Sequence, residues 1–171
     1  MSLFASLGAI ELGFIYSLVA LGVFISFRIL RFPDLTVDGT FATGGAVTAV
    51  MISQGFDPFT ASLVATLCCC FAGMITGWLN VKLGIMDLLA SILMMTALYS
   101  INLRIMNGPN IPLILNDTVF TVLQPEGLED MYWRPILLMV IVILAKLSID
   151  WFFATQTGLA MRSTGSNLRM A

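Results

Sequence analysis

Long stretches without charge constrain the fold of this chain more than any other feature. Four stretches run almost without a charged residue: Leu12–Phe27, Gly39–Phe56, Pro58–Val81 and Leu88–Leu103. A fifth, Pro135–Ala154, is interrupted only by Lys146 and Asp150. Because the hydrocarbon core of a bilayer is about 30 Å thick, ~20 mostly apolar residues in a helix can cross it. The pattern therefore predicts an all-α, polytopic transmembrane helical bundle with about five spans.

Composition supports a membrane protein and argues against catalysis. Hydrophobic residues make up 58% of the chain and charged residues 11%, whereas roughly a quarter of the residues in soluble domains are charged. The chain has no histidine, the commonest metal ligand and the commonest general base. It also has no P-loop and no paired-carboxylate constellation. We therefore expect no enzymatic activity, no catalytic residues, no metal or cofactor, and no nucleic-acid partner.

Basic residues indicate the orientation, because they favour the cytoplasmic side of a membrane. One side would carry most of them: Arg28, Arg31, Lys82, Arg162 and Arg169. The other side would carry Arg104 and Arg134 together with several acidic residues. This distribution predicts an external N-terminus and a cytoplasmic C-terminus. The orientation requires the second apolar segment to span the membrane and not to re-enter on the same side.

The connection between the first two spans is the first candidate site. Pro33 lacks a backbone donor, and Asp34 or Thr36 is suited to cap the next helix. Asp38 is suited to accept amide hydrogens in the first turn of that helix. One interpretation is an ordinary helix cap. The other is a helix end presented to a polar pathway, as in the discontinuous helices of transporters, with Asp38 and Thr40 lining that pathway.

The fourth span carries the second candidate site. Thr96, Ser100 and Arg104 recur every four residues, which places them on one helical face. Tyr99 and Asn102 lie to either side of that face, and an asparagine in hydrocarbon needs a hydrogen-bond partner. The pattern indicates either a polar face between helices or the lining of a solute pathway, with Thr96, Tyr99, Ser100 and Asn102 as its candidate residues.

Three smaller motifs have structural interpretations. Cys68, Cys69 and Cys70 are consecutive, so they point about 100° apart on a helix and are interpreted as small apolar filler. Gly73 and Gly77 form a small-xxx-small pair that permits close helix contact. Lys146 and Asp150, four residues apart, are interpreted as a mutual ion pair, with a pathway role as the alternative.

Two runs resemble a bacterial family of ABC importer permeases of the branched-chain amino-acid type. They are Phe27–Phe41 (FRILRFPDLTVDGTF) and Met94–Met106 (MMTALYSINLRIM), the latter followed by Pro109–Pro112. The final run, Thr155–Ala171, is similar to the cytoplasmic segment that follows this span in such permeases. The resemblance covers essentially the whole chain. Some members of the family are assigned to tryptophan or tyrosine uptake.

The resemblance implies a permease subunit in a bacterial inner (plasma) membrane that moves a small polar solute, an amino acid by this analogy, into the cell. It implies an ABC ATP-binding subunit, an extracytoplasmic substrate-binding lipoprotein and a second permease, as a homodimer or a paired chain, besides membrane lipid. Residues 1–154 would form the transmembrane bundle and 155–171 the segment coupled to the ATPase. The coupling residues would be Gly158, Arg162, Gly165 and Arg169, with a turn near Gly165.

Length is the one departure from the family. Members usually carry a second set of helices after the coupling segment, so the chain resembles the N-terminal part of a permease. Two interpretations remain open. One is a transport subunit completed by further helices, and the other is a truncated membrane protein with an assembly or regulatory role.

Overall fold

The computed structural model describes residues 3–113, 117–124 and 130–166, and within these ranges the chain is helical with no strand. The helices are α1 (Leu3–Phe24), α2 (Thr36–Ser53), α3 (Pro58–Leu83), α4 (Asp87–Met106), α5 (Val119–Val122), α6 (Asp130–Ala154) and α7 (Gln156–Ser166). A π-helical segment, Ile25–Leu30, continues α1. The predicted all-α membrane bundle is confirmed.

Four of the described helices are long and apolar enough to cross a bilayer: Ala5–Leu30, Pro58–Leu83, Asp87–Met106 and Tyr132–Ala154. The second predicted span forms α2, which has 18 residues. Helix α2 is not among the four, because its threonines, glycines and Asp38 lower its hydropathy. Its small side chains suit contact with other helices better than contact with lipid. The prediction that α2 spans the membrane thus stays a prediction, and so does the orientation.

The chain forms two compact units. Unit 1 comprises residues 1–33 and 124–171, and unit 2 comprises residues 34–123. In unit 1, α1 packs against α6, and α7 packs against both α6 and the π-helical segment. In unit 2, α2 packs against α3 and α4. Each unit therefore has its own helix packing, and unit 2 holds both candidate pathway sites while unit 1 holds the segment expected to couple to the ATPase.

Small residues bring the helices of unit 2 together. A Cβ added to Gly39 of α2 would lie 3.2 Å from the backbone Cα of Met95 and 3.2 Å from a methyl group of Leu98. A Cβ on Gly44 would lie 3.3 Å from the sulfur of Cys69. Fully or nearly buried alanines continue this interface, namely Ala46, Ala61, Ala65, Ala72 and Ala90. With no hydrophobic effect between helices in lipid, such close approach supplies much of the packing energy.

The smaller motifs have separate outcomes. Lys146 donates to Asp150 at 2.9 Å, which confirms the predicted ion pair. The N-cap position of α2 is Leu35, which has no side-chain cap, and the Asp34 Oδ1 just before it accepts at 2.8 Å from the amide of Thr36, the first residue of the helix. The pair Gly73 and Gly77 makes no close helix contact with the described residues, because a Cβ on either would meet nothing within 4 Å. These two glycines face away from the helices that pack on α3.

We expect Gly39→Val to destabilise unit 2 by about 1–3 kcal/mol, because the added side chain would overpack against the backbone of α4. Gly45→Val is the matched control on the same helix, since a Cβ there meets nothing within 4 Å. Thermal unfolding of the chain in detergent measures both variants. Equal unfolding midpoints for the two variants would contradict the close α2–α4 contact.

Candidate functional site

Unit 2 buries a polar seam, defined by Thr36, Thr43, Thr76, Ser91 and Asn102, each at most 5% exposed. The seam residues come from α2, α3 and α4 and lie on the faces where these helices pack. Four of the five carry hydroxyl groups, and each of these hydroxyls has a hydrogen-bond partner. Asn102 carries an amide instead of a hydroxyl, and this amide has no hydrogen-bond partner among the described residues.

The hydroxyls are satisfied mainly by carbonyls of their own helices. Thr43 donates to Gly39 O at 2.8 Å and Ser91 donates to Leu88 O at 2.9 Å. Thr76 donates to Ala72 O at 3.2 Å, and its oxygen lies 3.2 Å from the hydroxyl of Thr36. The two threonine hydroxyls share one hydrogen bond, in which either can be the donor. This bond joins the start of α2 to α3 inside the packed unit.

Asn102 has a buried amide with no hydrogen-bond partner among the described residues. The residue is 4% exposed, and neither its Nδ2 nor its Oδ1 forms a hydrogen bond. An amide offers two donors and an acceptor with two lone pairs. Leaving such a group buried and unpaired costs about 1–3 kcal/mol. The Asn102 amide therefore has unused hydrogen-bonding capacity, and in this arrangement of the helices its polar atoms are enclosed by the packing of unit 2.

The other α4 candidates lie elsewhere on the helix. Thr96, Tyr99 and Ser100 are exposed, and the Tyr99 side chain is 66% exposed. Thr96 and Ser100 each lie two residues from Leu98, about 200° around the helix from the packed face. Their hydroxyls donate to carbonyls of α4 itself. Asn102 lies on the packed face, well around the helix from Thr96 and Ser100, whereas Tyr99, three residues before Asn102, lies on the neighbouring exposed face.

The two α2 candidates lie in its first two turns. Asp38 is exposed and Thr40 is half-buried. The Thr40 hydroxyl donates to Val37 O at 3.0 Å, and its carbonyl accepts from the Cys69 thiol at 3.1 Å. Neither residue is part of the polar seam. A pathway role for the α2 and α4 candidates stays a prediction, and of the six only Asn102 lies in the packed interior of the unit.

Sequence reasoning missed three of the seam residues, Thr43, Thr76 and Ser91. Single hydroxyls in a span carry little signal, because they usually bond to their own backbone. The signal lay in the spacing of small residues on α3, where Ala61, Ala65, Ala72 and Thr76 share one face. On α4, Ser91 is eleven residues before Asn102 and so lies on the same face. Following these two helix faces would have placed Thr76 and Ser91 in the interface.

The predicted coupling segment forms α7, which follows α6 after one residue, Thr155. The Thr155 hydroxyl accepts from the amide of Gly158 at 3.4 Å and donates to Phe152 O at 2.6 Å. A Cβ on Gly158 would collide with the backbone of Phe152 and Phe153. Thr155 therefore caps α7, and Gly158 permits the sharp corner between the two helices.

The other end of α7 is also fixed by a glycine. A Cβ on Gly165 would collide with the carbonyl oxygen of Ile29 in the π-helical segment. The turn predicted near Gly165 is wrong, since this residue is helical and serves close approach. Arg162 lies 5.7 Å from the ring centroid of Phe153. Arg169, the fourth predicted coupling residue, lies outside the described residues.

Comparison with known proteins identifies the family. A family model described as the permease component of branched-chain amino acid transport systems matches residues 6–171. A tyrosine transport system permease protein of Clostridioides difficile is 39% identical over 157 residues, covering 91% of this chain and 50% of that protein. An uncharacterized Rickettsia prowazekii protein is 38% identical over 119 residues, covering 70% of this chain and 42% of that protein. No solved structure matches this chain.

The chain spans about half the length of the curated relatives that it matches. The family model nevertheless covers nearly all of the chain, including the regions of both candidate sites. The family is one of transport permeases and not of enzymes, and its match agrees with the apolar helices of a multi-pass membrane protein. The chain therefore belongs to the permease components of branched-chain amino acid transport systems.

Proposed function

We propose that the chain is the N-terminal half of the membrane-spanning permease of an ATP-driven importer that moves an amino acid into the cell. The observation that carries the proposal is the unpaired, buried amide of Asn102 in a chain of this family. A binding group in a carrier must keep free hydrogen-bonding capacity inside the membrane. Among the described residues that are not exposed, only Asn102 has fully buried side-chain polar atoms without a partner.

The substrate is proposed as an aromatic or branched-chain amino acid. The family description names branched-chain amino acids, and the similar Clostridioides difficile protein is named for tyrosine. A neutral amide suits such a solute, because it can bond to either an amino or a carboxyl group and holds it weakly. Weak binding matters, since a carrier must release what it carries.

Thr96, Tyr99 and Ser100 are proposed to line the pathway on a surface of α4 that the described residues leave exposed. Asp38 and Thr40 would line it at the start of α2. Family members carry further helices, which would cover these groups and form the other wall of the pathway, as paired repeats do in transporters. A second permease copy or half is therefore a proposed partner.

Helix α7 is proposed as the element that docks on an ABC ATP-binding subunit. It is fixed at one end by the Thr155–Gly158 corner and at the other by Gly165 against Ile29. An element fixed at two points moves as a rigid body with the helices that hold it. Gly158 and Gly165 would therefore transmit the movement, and Arg162 and Arg169 would provide positive charge. An extracytoplasmic binding lipoprotein is proposed to deliver the substrate.

The test of transport is Asn102→Leu in cells that express the chain with the other subunits of its transport system. We expect uptake of the radiolabelled amino acid to fall about 10-fold, the effect of losing one or two hydrogen bonds to the substrate. The thermal unfolding midpoint should stay the same or rise, because a buried unpaired amide is replaced by an apolar side chain. Ser91→Ala is the matched control on the same helix face, and it should leave uptake unchanged.

Normal uptake in Asn102→Leu together with increased stability would make Asn102 a packing residue and contradict its proposed role. If the wild-type chain, supplied with the remaining permease helices and the other subunits, binds the ATP-binding subunit and supports no uptake of any tested amino acid, transport itself is contradicted and the assembly role is supported.

The test of coupling is Gly165→Ala, because the added methyl group would push α7 away from the π-helical segment. We expect faster hydrogen exchange of the α7 amides and a several-fold loss of uptake, with the ATP-binding subunit still expressed. Gly13→Ala in α1 is the control, since a Cβ there meets nothing within 4 Å. Unchanged uptake in a variant with faster exchange would contradict the coupling role of α7.

A further inference from the structure

Three arginines line one cavity in unit 1. Arg28 lies in the π-helical segment, Arg31 follows its end, and Arg162 comes from α7. The cavity has a volume of about 360 Å³ and is completed by Phe24, Ile29 and Gly165. None of these lining residues is acidic. The close contact between Gly165 and Ile29 brings the two segments, and hence their arginines, together.

The positive charge in this cavity is not neutralised within the described part of the chain. Arg28, Arg31 and Arg162 form no ion pair there. Asp150 lies nearby but pairs with Lys146 at 2.9 Å, and Arg162 contacts the Phe153 ring. Three guanidinium groups facing one space repel one another, so a bound anion would stabilise the arrangement. Guanidinium groups suit a phosphate because they can donate two parallel hydrogen bonds to its oxygens.

A second cavity adjoins the first and is mostly apolar. It has a volume of about 320 Å³ and shares Phe24, Ile29 and Arg162 with the basic cavity. Its other lining side chains are mostly apolar ones of α1, the π-helical segment and α6, such as Leu21, Ile25 and Ile149, together with the mutually paired Lys146 and Asp150. Both helices contain candidate membrane spans. A basic cavity that shares lining residues with a largely apolar cavity in a span matches a ligand that has a phosphate at one end and a hydrocarbon chain at the other.

The geometry points to a binding site for an anionic phospholipid in unit 1. The headgroup phosphate would lie among Arg28, Arg31 and Arg162, and part of an acyl chain would occupy the apolar cavity between α1 and α6. Basic pockets between membrane helices on the cytoplasmic side are suited to anionic headgroups, and the predicted orientation puts these arginines on that side. The lipid would join the π-helical segment to α7, and so stabilise the contact at Gly165.

Two simpler explanations differ from this site in what they predict. The general preference of basic residues for the cytoplasmic side would apply equally to Lys82, which lies in the last turn of α3 in unit 2. A site for free phosphate would use the same arginines and would not need the apolar cavity. The inference concerns unit 1 and does not depend on whether the chain transports an amino acid.

The first experiment uses the full wild-type chain, purified in detergent and delipidated. We expect phosphatidylglycerol to raise the midpoint of thermal unfolding by roughly 5 °C at saturation. Phosphatidylcholine, whose headgroup has no net charge, should raise it far less, and inorganic phosphate should have little effect. An equal effect of inorganic phosphate would mean that the site binds a free anion and not a lipid. Equal effects of the two lipids would overturn the site.

The second experiment compares variants by native mass spectrometry, which counts the bound phosphatidylglycerol molecules. Joint replacement of Arg28, Arg31 and Arg162 by glutamine should remove the tightly bound lipid. Joint replacement by lysine should retain part of the binding, because the charge is kept and the paired hydrogen bonds are lost. Lys82→Gln is the control and should bind like the wild type. Loss of lipid in Lys82→Gln equal to that in the glutamine variant would overturn the proposal.

Discussion

The whole structure depends on the need of every buried polar group for a hydrogen-bond partner where water is absent. In hydrocarbon an unpaired backbone group costs several kcal/mol, which leaves helices as the way to cross a membrane without strands. The same constraint acts on side chains. The hydroxyls of the polar seam bond to carbonyls one helical turn away or to another hydroxyl. These bonds let threonine and serine occupy a tightly packed interface at little cost.

Asparagine cannot meet this constraint in the same way at position 102. Its amide is buried by the packing of unit 2, and no described group bonds to it. Asn80 shows the alternative, since its amide donates to Ile85 O at 2.9 Å and also to the Asp87 carboxylate. The Asn80 amide thus links the end of α3 to the start of α4, whereas the Asn102 amide has no partner among the described residues. The proposed transport function rests on this difference in the chemistry of two like side chains.

The sequence was sufficient for the fold class and for several local contacts. Charge-free stretches predicted the helices, i,i+4 spacing predicted the Lys146–Asp150 pair, and Asp34, a candidate cap, bonds to the first amide of α2. Which face of each helix is buried could not be derived, because polar periodicity on α4 favoured Thr96 and Ser100 over Asn102. Gly165 contacts Ile29, a residue far away in the sequence. Because the residues next to Gly165 give no sign of this contact, the glycine was interpreted as a turn residue. Packing between helices decided both cases.

In both units, small residues allow helices to pack closely, and the two units are assigned different roles. In unit 2, small residues allow close packing that buries the seam and leaves one amide without a partner among the described residues. In unit 1, glycines at both ends of α7 fix a short helix against α6 and the π-helical segment. The proposed lipid site arises from the second contact, because the approach that needs Gly165 also brings the arginines together. Substrate binding and coupling are therefore assigned to separate elements.

The most direct test of the account is the magnetic resonance signal of the Asn102 side-chain amide in the reconstituted complete transporter. The nitrogen and proton shifts of this amide should change when saturating amino-acid substrate is added. The Asn80 amide, already bonded within the protein, serves as the internal reference and should not change. An Asn102 signal unaffected by substrate in a preparation that transports would contradict the claim that this amide binds the solute.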